Sequence, residues 1–367
     1  MFNLNRRTVI KGLAAAALPA PSALSAGSPA MSRLARLNKG FNLPGWADRP
    51  GAQAPSPELL DVLSRLGFAA VRLPIDPMRL FEAVAIDTLH HIITSASSLI
   101  AAGFSVTLDL HGEADLIALF DRDPDVAGEI VLAAWAKLAP RLVDLSPEHS
   151  FPELLNEPPM ARVVWLPLRK RLADTVRRHC PNHTIIWGAA RYQGLEETAE
   201  HPLLGDSNEI AAVHYYIPIG FTHQCADWLG PGLAELGPLP FPARKSDPAV
   251  VDRRAALRAQ GNAEALAMLD QELEADWTYE RIEEDFARVG VWSQTTGCPV
   301  VLNEFGVLQG CVDPLSRIRW IAAVRDAAER YGMAWTYWEL DAGFGFVADR
   351  QDAASLDPML LAALIPR

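Results

Sequence analysis

Short apolar runs alternate along this chain with longer stretches in which apolar residues recur every three or four positions. The runs predict eight strands, at 38–43, 69–73, 104–110, 151–156, 183–187, 210–213, 299–303 and 334–338, with Pro74 as a breaker after the second. Between them, Leu59, Val62, Leu63 and Leu66 share one helical face, and so do Leu89, Ile92, Ile93, Ala96, Leu99 and Ile100, a helix closed by Gly103. Further helices are expected over 126–145 with Pro140 inside, after the fourth strand to about 179, near Glu196, over 280–289, over 314–331 and over 354–364. Eight strand–helix units in one direction predict a (β/α)8 TIM barrel rather than a doubly wound sheet.

One segment breaks the rhythm. After the sixth strand, residues 217–242 are rich in Pro, Gly and aromatics, and a charged helical stretch follows over 252–275. A connection that long is usually functional. On a barrel it belongs over the mouth, as a lid or a wall of a binding cleft.

The strands end in polar groups. Leu-Leu-Asn156-Glu157-Pro158 and Val-Leu-Asn303-Glu304-Phe305-Gly306 each carry an apolar run into an amide and then a glutamate. A buried parallel strand is apolar throughout, so each glutamate is expected at the strand's mouth. Two glutamates facing each other across a cleft are what acid-assisted cleavage of a glycosidic bond requires. Asn42 follows the first strand, Arg72 is expected at the end of the second, His111 follows the third, His214 and Tyr216 the sixth, and Trp338 the eighth. Any one of these reads as a structural group. Together, polar and aromatic residues delivered to one rim point to a site.

The 367 residues, half of them hydrophobic, suffice for one such barrel. A formal net charge of −12 argues against nucleic acid or an anionic membrane surface as partner. Arg6-Arg7 ahead of an apolar stretch over 12–18 reads as a twin-arginine export signal, placing the protein in the periplasm or outside the cell. That stretch is too short for stable membrane insertion. Residues 1–30 are therefore set apart, with cleavage near Ser25 or Ala26, and 31–367 form a single catalytic domain. Cys180, Cys225, Cys298 and Cys311 show no zinc-ligand spacing. A Cys298–Cys311 disulfide and four unpaired thiols both remain open. Of the ten tryptophans, Trp46, Trp228 and Trp338 fall near loops of the mouth, whereas Trp135, Trp165, Trp187 and Trp320 fall on helices or the barrel wall.

In chain order, Ala-Val-Arg72-Leu-Pro, Asp109-Leu-His111-Gly112, Leu-Asn156-Glu157-Pro158, His214-Tyr-Tyr216, Asn303-Glu304-Phe305-Gly306 and Trp335-Thr-Tyr-Trp338-Glu339 closely resemble the strand-end motifs of glycoside hydrolase family 5, the cellulase family. Phe221-Thr-His-Gln224 with Trp228 is similar to a segment of its bacterial endoglucanases. The resemblance runs from about Asn38 to Phe344 and implies a retaining enzyme acting on β-linked glucan, foremost an endo-β-1,4-glucanase. It implies Glu157 as acid/base and Glu304 as nucleophile. Asn156 would bond the sugar 2-hydroxyl, Arg72 and Tyr216 would contact the nucleophile, His111 and His214 would line the cleavage subsite, and Trp338 would be its stacking platform. Asn303 departs from the small residue common there. The reading calls for no cofactor, no metal and a monomer acting on a polysaccharide or oligosaccharide. Mannan, β-1,3-glucan, transglycosylation and a non-catalytic glycan-binding barrel stand as alternatives. A metal-dependent hydrolase using Asp109, His111 and His214 lacks any His-x-His or His-Glu-x-x-His motif, and a serine hydrolase lacks its Gly-x-Ser-x-Gly elbow.

Overall fold

The computed structural model describes residues 28–366. The paired arginines and the apolar stretch behind them lie outside the described residues. A helix already begins at Pro29, with Ala30 buried, so the barrel domain starts ahead of residue 31. Strands β1 (Gly40–Asn42), β2 (Ala70–Ile75), β3 (Ser105–Leu110), β4 (Ser150–Glu153), β5 (Ile185–Gly188), β6 (Glu209–Tyr215), β7 (Val300–Phe305) and β8 (Ala334–Tyr337) close into a parallel barrel in sequence order. The expected (β/α)8 TIM barrel is what forms.

Alternation along each strand sorts its side chains. Outward residues such as Val71, Leu73, Val106, Leu108, Leu154 and Leu302 join the apolar layer beneath the surrounding helices. Inward residues build the lumen in tiers. Phe151, Ile186, Ile210, Ala212, Val301 and Ala334 fill the lower tier, and Ala30, Leu34 and Leu37 of the N-terminal helix and turn close it from below. Arg33 ties this stopper down through the carbonyl of Asn182 at 2.7 Å and the hydroxyl of Thr184 at 3.1 Å. Above the apolar tier the lumen turns polar.

Several boundaries differ from the pattern's expectation. Arg72 is the third residue of a six-residue strand, and Pro74 lies inside that strand. The carbonyl of Arg72 accepts from Leu43, while those of Ala69 and Ile75 accept from Ser105 and His111. Even-numbered positions of β2 therefore face β1, which ends at Asn42 opposite Arg72. The missing N–H of Pro74 points where no partner strand remains, and nothing is lost. A helix at Ala114–Arg122, which buries Leu116 and Phe120 one turn apart, and a 3-10 turn at Pro77–Phe81 add to the expected elements. Proline sits inside two helices, Pro140 in Pro124–Leu142 as expected and Pro167 in Arg162–Arg177.

The insertion after β6 folds into short turns and two helices, Pro248–Ala259 and Ala263–Glu272. It buries Leu236, Leu239, Phe241, Val250, Leu257, Leu269 and Trp277 as an extension of the main core. Gln224 braces it by accepting from the Leu239 N–H at 2.6 Å and donating back to the Leu239 carbonyl at 3.2 Å. A disulfide joins Cys225 of this segment to Cys311 in the loop after β7. The Cys298–Cys311 alternative fails on distance. Cys298 precedes β7 and Cys311 follows it, so roughly 20 Å of extended strand separates them. Cys180 and Cys298 are buried free thiols. Thiol titration of the unfolded chain should accordingly count two groups without reductant, assignable by mass mapping to Cys180 and Cys298, and four after reduction.

Candidate active site

The polar tier of the lumen is organised by one side chain. Arg72, 1% exposed, projects inward from β2 toward three carboxylates. Its Nε and Nη2 donate to Glu153 at 2.8 and 3.0 Å, Nη2 also lies 2.8 Å from Asp109, and Nη1 donates to Glu304 at 2.6 Å. It further donates to the side-chain oxygens of Asn42 and Asn156 at 3.0 and 2.8 Å. An arginine can serve this many acceptors because its planar fork carries five N–H groups. Burial without partners would be costly for any of these charges. Burial pushes Asp109 up to about 7 against the pull of Arg72.

Glu304 sits near the end of β7 with both oxygens engaged. Oε1 takes Arg72, and Oε2 takes the Tyr216 hydroxyl at 3.1 Å. Burial and the neighbouring carboxylates Glu304 and Glu157 hold the Tyr216 phenol well above its ordinary range, so it stays a donor. A register shift between β6 and β7 brings His214 opposite Glu304 instead of Asn303. Asn303 is then free to point into the lumen and donate to Glu153 at 2.8 Å, while Asn42 donates to its carbonyl at 2.9 Å. This accounts for an amide where a smaller residue was expected: it helps hold Glu153, a group that the sequence pattern did not single out.

Glu157 lies just past β4, its side chain 33% exposed at the cleft. His214 Nδ1 contacts its Oε1 at 2.8 Å and lies 3.5 Å from Glu304 Oε2. Burial holds His214 at about 4, so the ring is neutral near pH 7. Its Nε2 is buried without a partner, a state that is tolerable for a bare nitrogen and costly for an N–H. The proton is therefore assigned to Nδ1, which donates to Glu157. Burial raises the Glu157 carboxyl above its ordinary range, partly countered by His111 and Arg72. Carboxylate oxygens of Glu157 and Glu304 lie within 4.8 Å of each other.

Asn156 links the two sides of the site. Arg72 can only donate, so Asn156 turns its oxygen to it and its amide nitrogen to His111 Nε2 at 3.3 Å. His111 thus carries its proton on Nδ1 and donates to Asp109 at 2.8 Å. The His111 ring stacks on Trp338, with centroids 5.6 Å apart. Gly306 lets the β7 loop pass beneath that tryptophan, because a Cβ there would meet the Trp338 carbonyl at 2.3 Å.

All eight residues singled out from the sequence, Arg72, His111, Asn156, Glu157, His214, Tyr216, Glu304 and Trp338, thus meet at the C-terminal end of the barrel. All but the buried Arg72 line a cleft of about 1210 Å³ that also takes in Tyr192, Trp228 and Arg288. Trp228, from the insertion, is 61% exposed there. Trp46 lies in the loop after β1 as expected, but it is buried against His91 and does not line the cleft. Trp135, Trp165, Trp187 and Trp320 are fully buried. Glu157, His214 and Glu304 also form the one group of potential metal ligands among the described residues.

Comparison with known proteins agrees with this geometry. The profile of Cellulase (glycosyl hydrolase family 5) matches residues 34–343. The chain belongs to glycosyl hydrolase family 5. Endoglucanase 3 of Fibrobacter succinogenes is 25% identical over a 349-residue alignment that covers 88% of this chain and 52% of that protein. The chain thus spans about half the length of that relative. Endoglucanase C of Acetivibrio thermocellus is 24% identical over 82% of this chain and 91% of its own. Among solved structures, the endoglucanase Cel5A of Thermotoga maritima superposes with a TM-score of 0.72 at 25% identity, over 91% of this chain and 99% of that one.

The family member's Arg72 should prove structurally indispensable. Arg72→Met removes the one cation facing three buried carboxylates and is expected to cost about 3–5 kcal/mol, measured as a lowered urea midpoint. Arg72→Lys, lacking the fork, should recover only part of the loss.

Proposed function

We propose that this protein is a retaining endo-β-1,4-glucanase in which Glu304 is the nucleophile and Glu157 the acid/base. The observation that carries the reading is the carboxylate spacing, within 4.8 Å. Retaining glycosidases place their carboxyl groups roughly 5–5.5 Å apart, whereas inverting ones leave about 6.5–9.5 Å for a water. Glu304 attacks the anomeric carbon while Glu157 protonates the departing oxygen. Water, deprotonated by Glu157, then cleaves the glycosyl–Glu304 ester. The division of labour follows the surroundings. Glu304 is aimed by Arg72 and Tyr216, and Glu157, raised by burial, is suited to hold a proton.

The remaining groups serve binding. Trp338 offers an indole face for a sugar ring, held in place by His111. Asn156 has one amide hydrogen left for a sugar hydroxyl after bonding His111. The breadth of the cleft, which also takes in Tyr192 and Trp228, supports an endo mode. A mannan-active reading has one support: a Thermotoga maritima Cel5A structure at 24% identity is described with mannotriose and another with cellobiose. Export through the paired-arginine segment is part of the same proposal, and the Cys225–Cys311 bridge suits an oxidising compartment.

Incubation with a panel of soluble β-1,4-glucan, β-1,3-glucan and mannan, with products sized over time, tests the substrate. Early appearance of mid-length β-1,4-gluco-oligosaccharides is expected, and exclusive release of mannose oligomers overturns the glucan assignment. Glu304→Gln and Glu157→Gln should each lower turnover of glucan by about 10²–10⁴-fold or more. The acid must be protonated, so kcat/KM falls as pH rises through the elevated pKa of Glu157. With a dinitrophenyl β-cellobioside, whose leaving group needs no proton, that alkaline limb should flatten in the unaltered protein, and Glu157→Gln should keep a fast first step.

A further inference from the structure

Residues Arg191, Tyr192 and Gln193, in the loop after β5, follow one another in left-handed backbone at φ of 54°, 68° and 57°, a run that side-chain-bearing residues rarely adopt. Glu157 shares this conformation at φ 42°. The two strained stretches are fastened together. Tyr192 N–H donates to the Pro158 carbonyl at 3.2 Å, and Arg191 N–H to that of Met160 at 3.4 Å. Gln193 is fully buried and makes the central contact: its side-chain Oε1 accepts the Glu157 N–H at 2.5 Å. Its own carbonyl accepts from His214 N–H at 3.0 Å. One residue thus grips both Glu157 and the histidine that touches its carboxylate.

The surroundings are shaped to admit this side chain. A Cβ on Gly188, at the end of β5, would fall 2.1 Å from Gln193 Cγ and 2.2 Å from Cδ. The amide nitrogen of Gln193 is buried without a partner, a cost with no return in packing. A left-handed triplet and an orphaned donor, both held beside the same glutamate, are what strain kept for function looks like.

We propose that Gln193 is the positioning residue for proton transfer: it fixes the backbone of Glu157 and the ring of His214 so that the acid/base meets the leaving oxygen. This rests on the assignment of Glu157 made above. Gln193 itself touches neither substrate nor the reacting atoms.

The test separates leaving groups. In Gln193→Met, kcat/KM on soluble glucan should fall by about 100-fold, the loss expected for an ångström-scale misplacement, while kcat/KM on dinitrophenyl β-cellobioside changes by less than about 3-fold. Azide, which needs no general base, should restore kcat on the aryl substrate. Gly188→Ala, which displaces the same side chain from outside the cleft, should give the same signature, and Gln193→Glu, which keeps an acceptor oxygen for the Glu157 N–H, should recover most of the loss. Equal losses on both substrates, or none on either, overturn the inference. Glu157→Gln is run in parallel. If it discriminates between the substrates and the Gln193 and Gly188 variants do not, only the positioning role fails. If Glu157→Gln does not discriminate, the acid/base assignment itself fails.

Discussion

A single guanidinium in the middle of the barrel sets the terms for everything above it. Arg72 compensates Glu153, Asp109 and Glu304, all essentially buried, and no other arginine or lysine among the described residues pairs with them. Removing charges from water is tolerable only with close partners and satisfied hydrogen bonds. Asn42, Asn156 and Asn303 complete the set, each using an amide where another ion would overcharge the lumen. The direction of Glu304 is therefore a by-product of keeping the core neutral enough to fold. Stability and chemistry share the same atoms.

The two ends of the site are tuned differently. On the Glu304 side, donors converge and burial is nearly complete. On the Glu157 side, burial raises the carboxyl, and partial exposure of its side chain at the cleft leaves it reachable. Such opposed surroundings suit the division between nucleophile and acid/base proposed above.

Much of this was readable in the chain because strand periodicity exposes interruptions. An apolar run that stops at Asn-Glu announces a mouth, and two such stops, with polar or aromatic groups at other strand ends, pointed to one rim of a barrel already legible from its eight strand–helix units. Glu153 escaped notice because it follows Pro152 inside what reads as a strand continuing to Asn156. Arg72 was placed too late in its strand for the converse reason, since Pro74 reads as a terminator unless one knows that β1 has ended beside it. The disulfide depends on which loops meet above the barrel, and sequence proximity pointed to the wrong partner for Cys311. Gln193 carries no signal of its own. Its importance lies in a backbone conformation that Arg-Tyr-Gln does not suggest, and the clue was Gly188, small for a reason visible only in three dimensions.

The stopper beneath the lumen has a directional consequence. Because Ala30, Leu34 and Leu37 seat against the lower tier, the chain enters the barrel at the pole opposite Glu157 and Glu304. A tether, a fusion partner or a solid support fixed at Ser28 would leave the pole that carries Glu157 and Glu304 facing away from it.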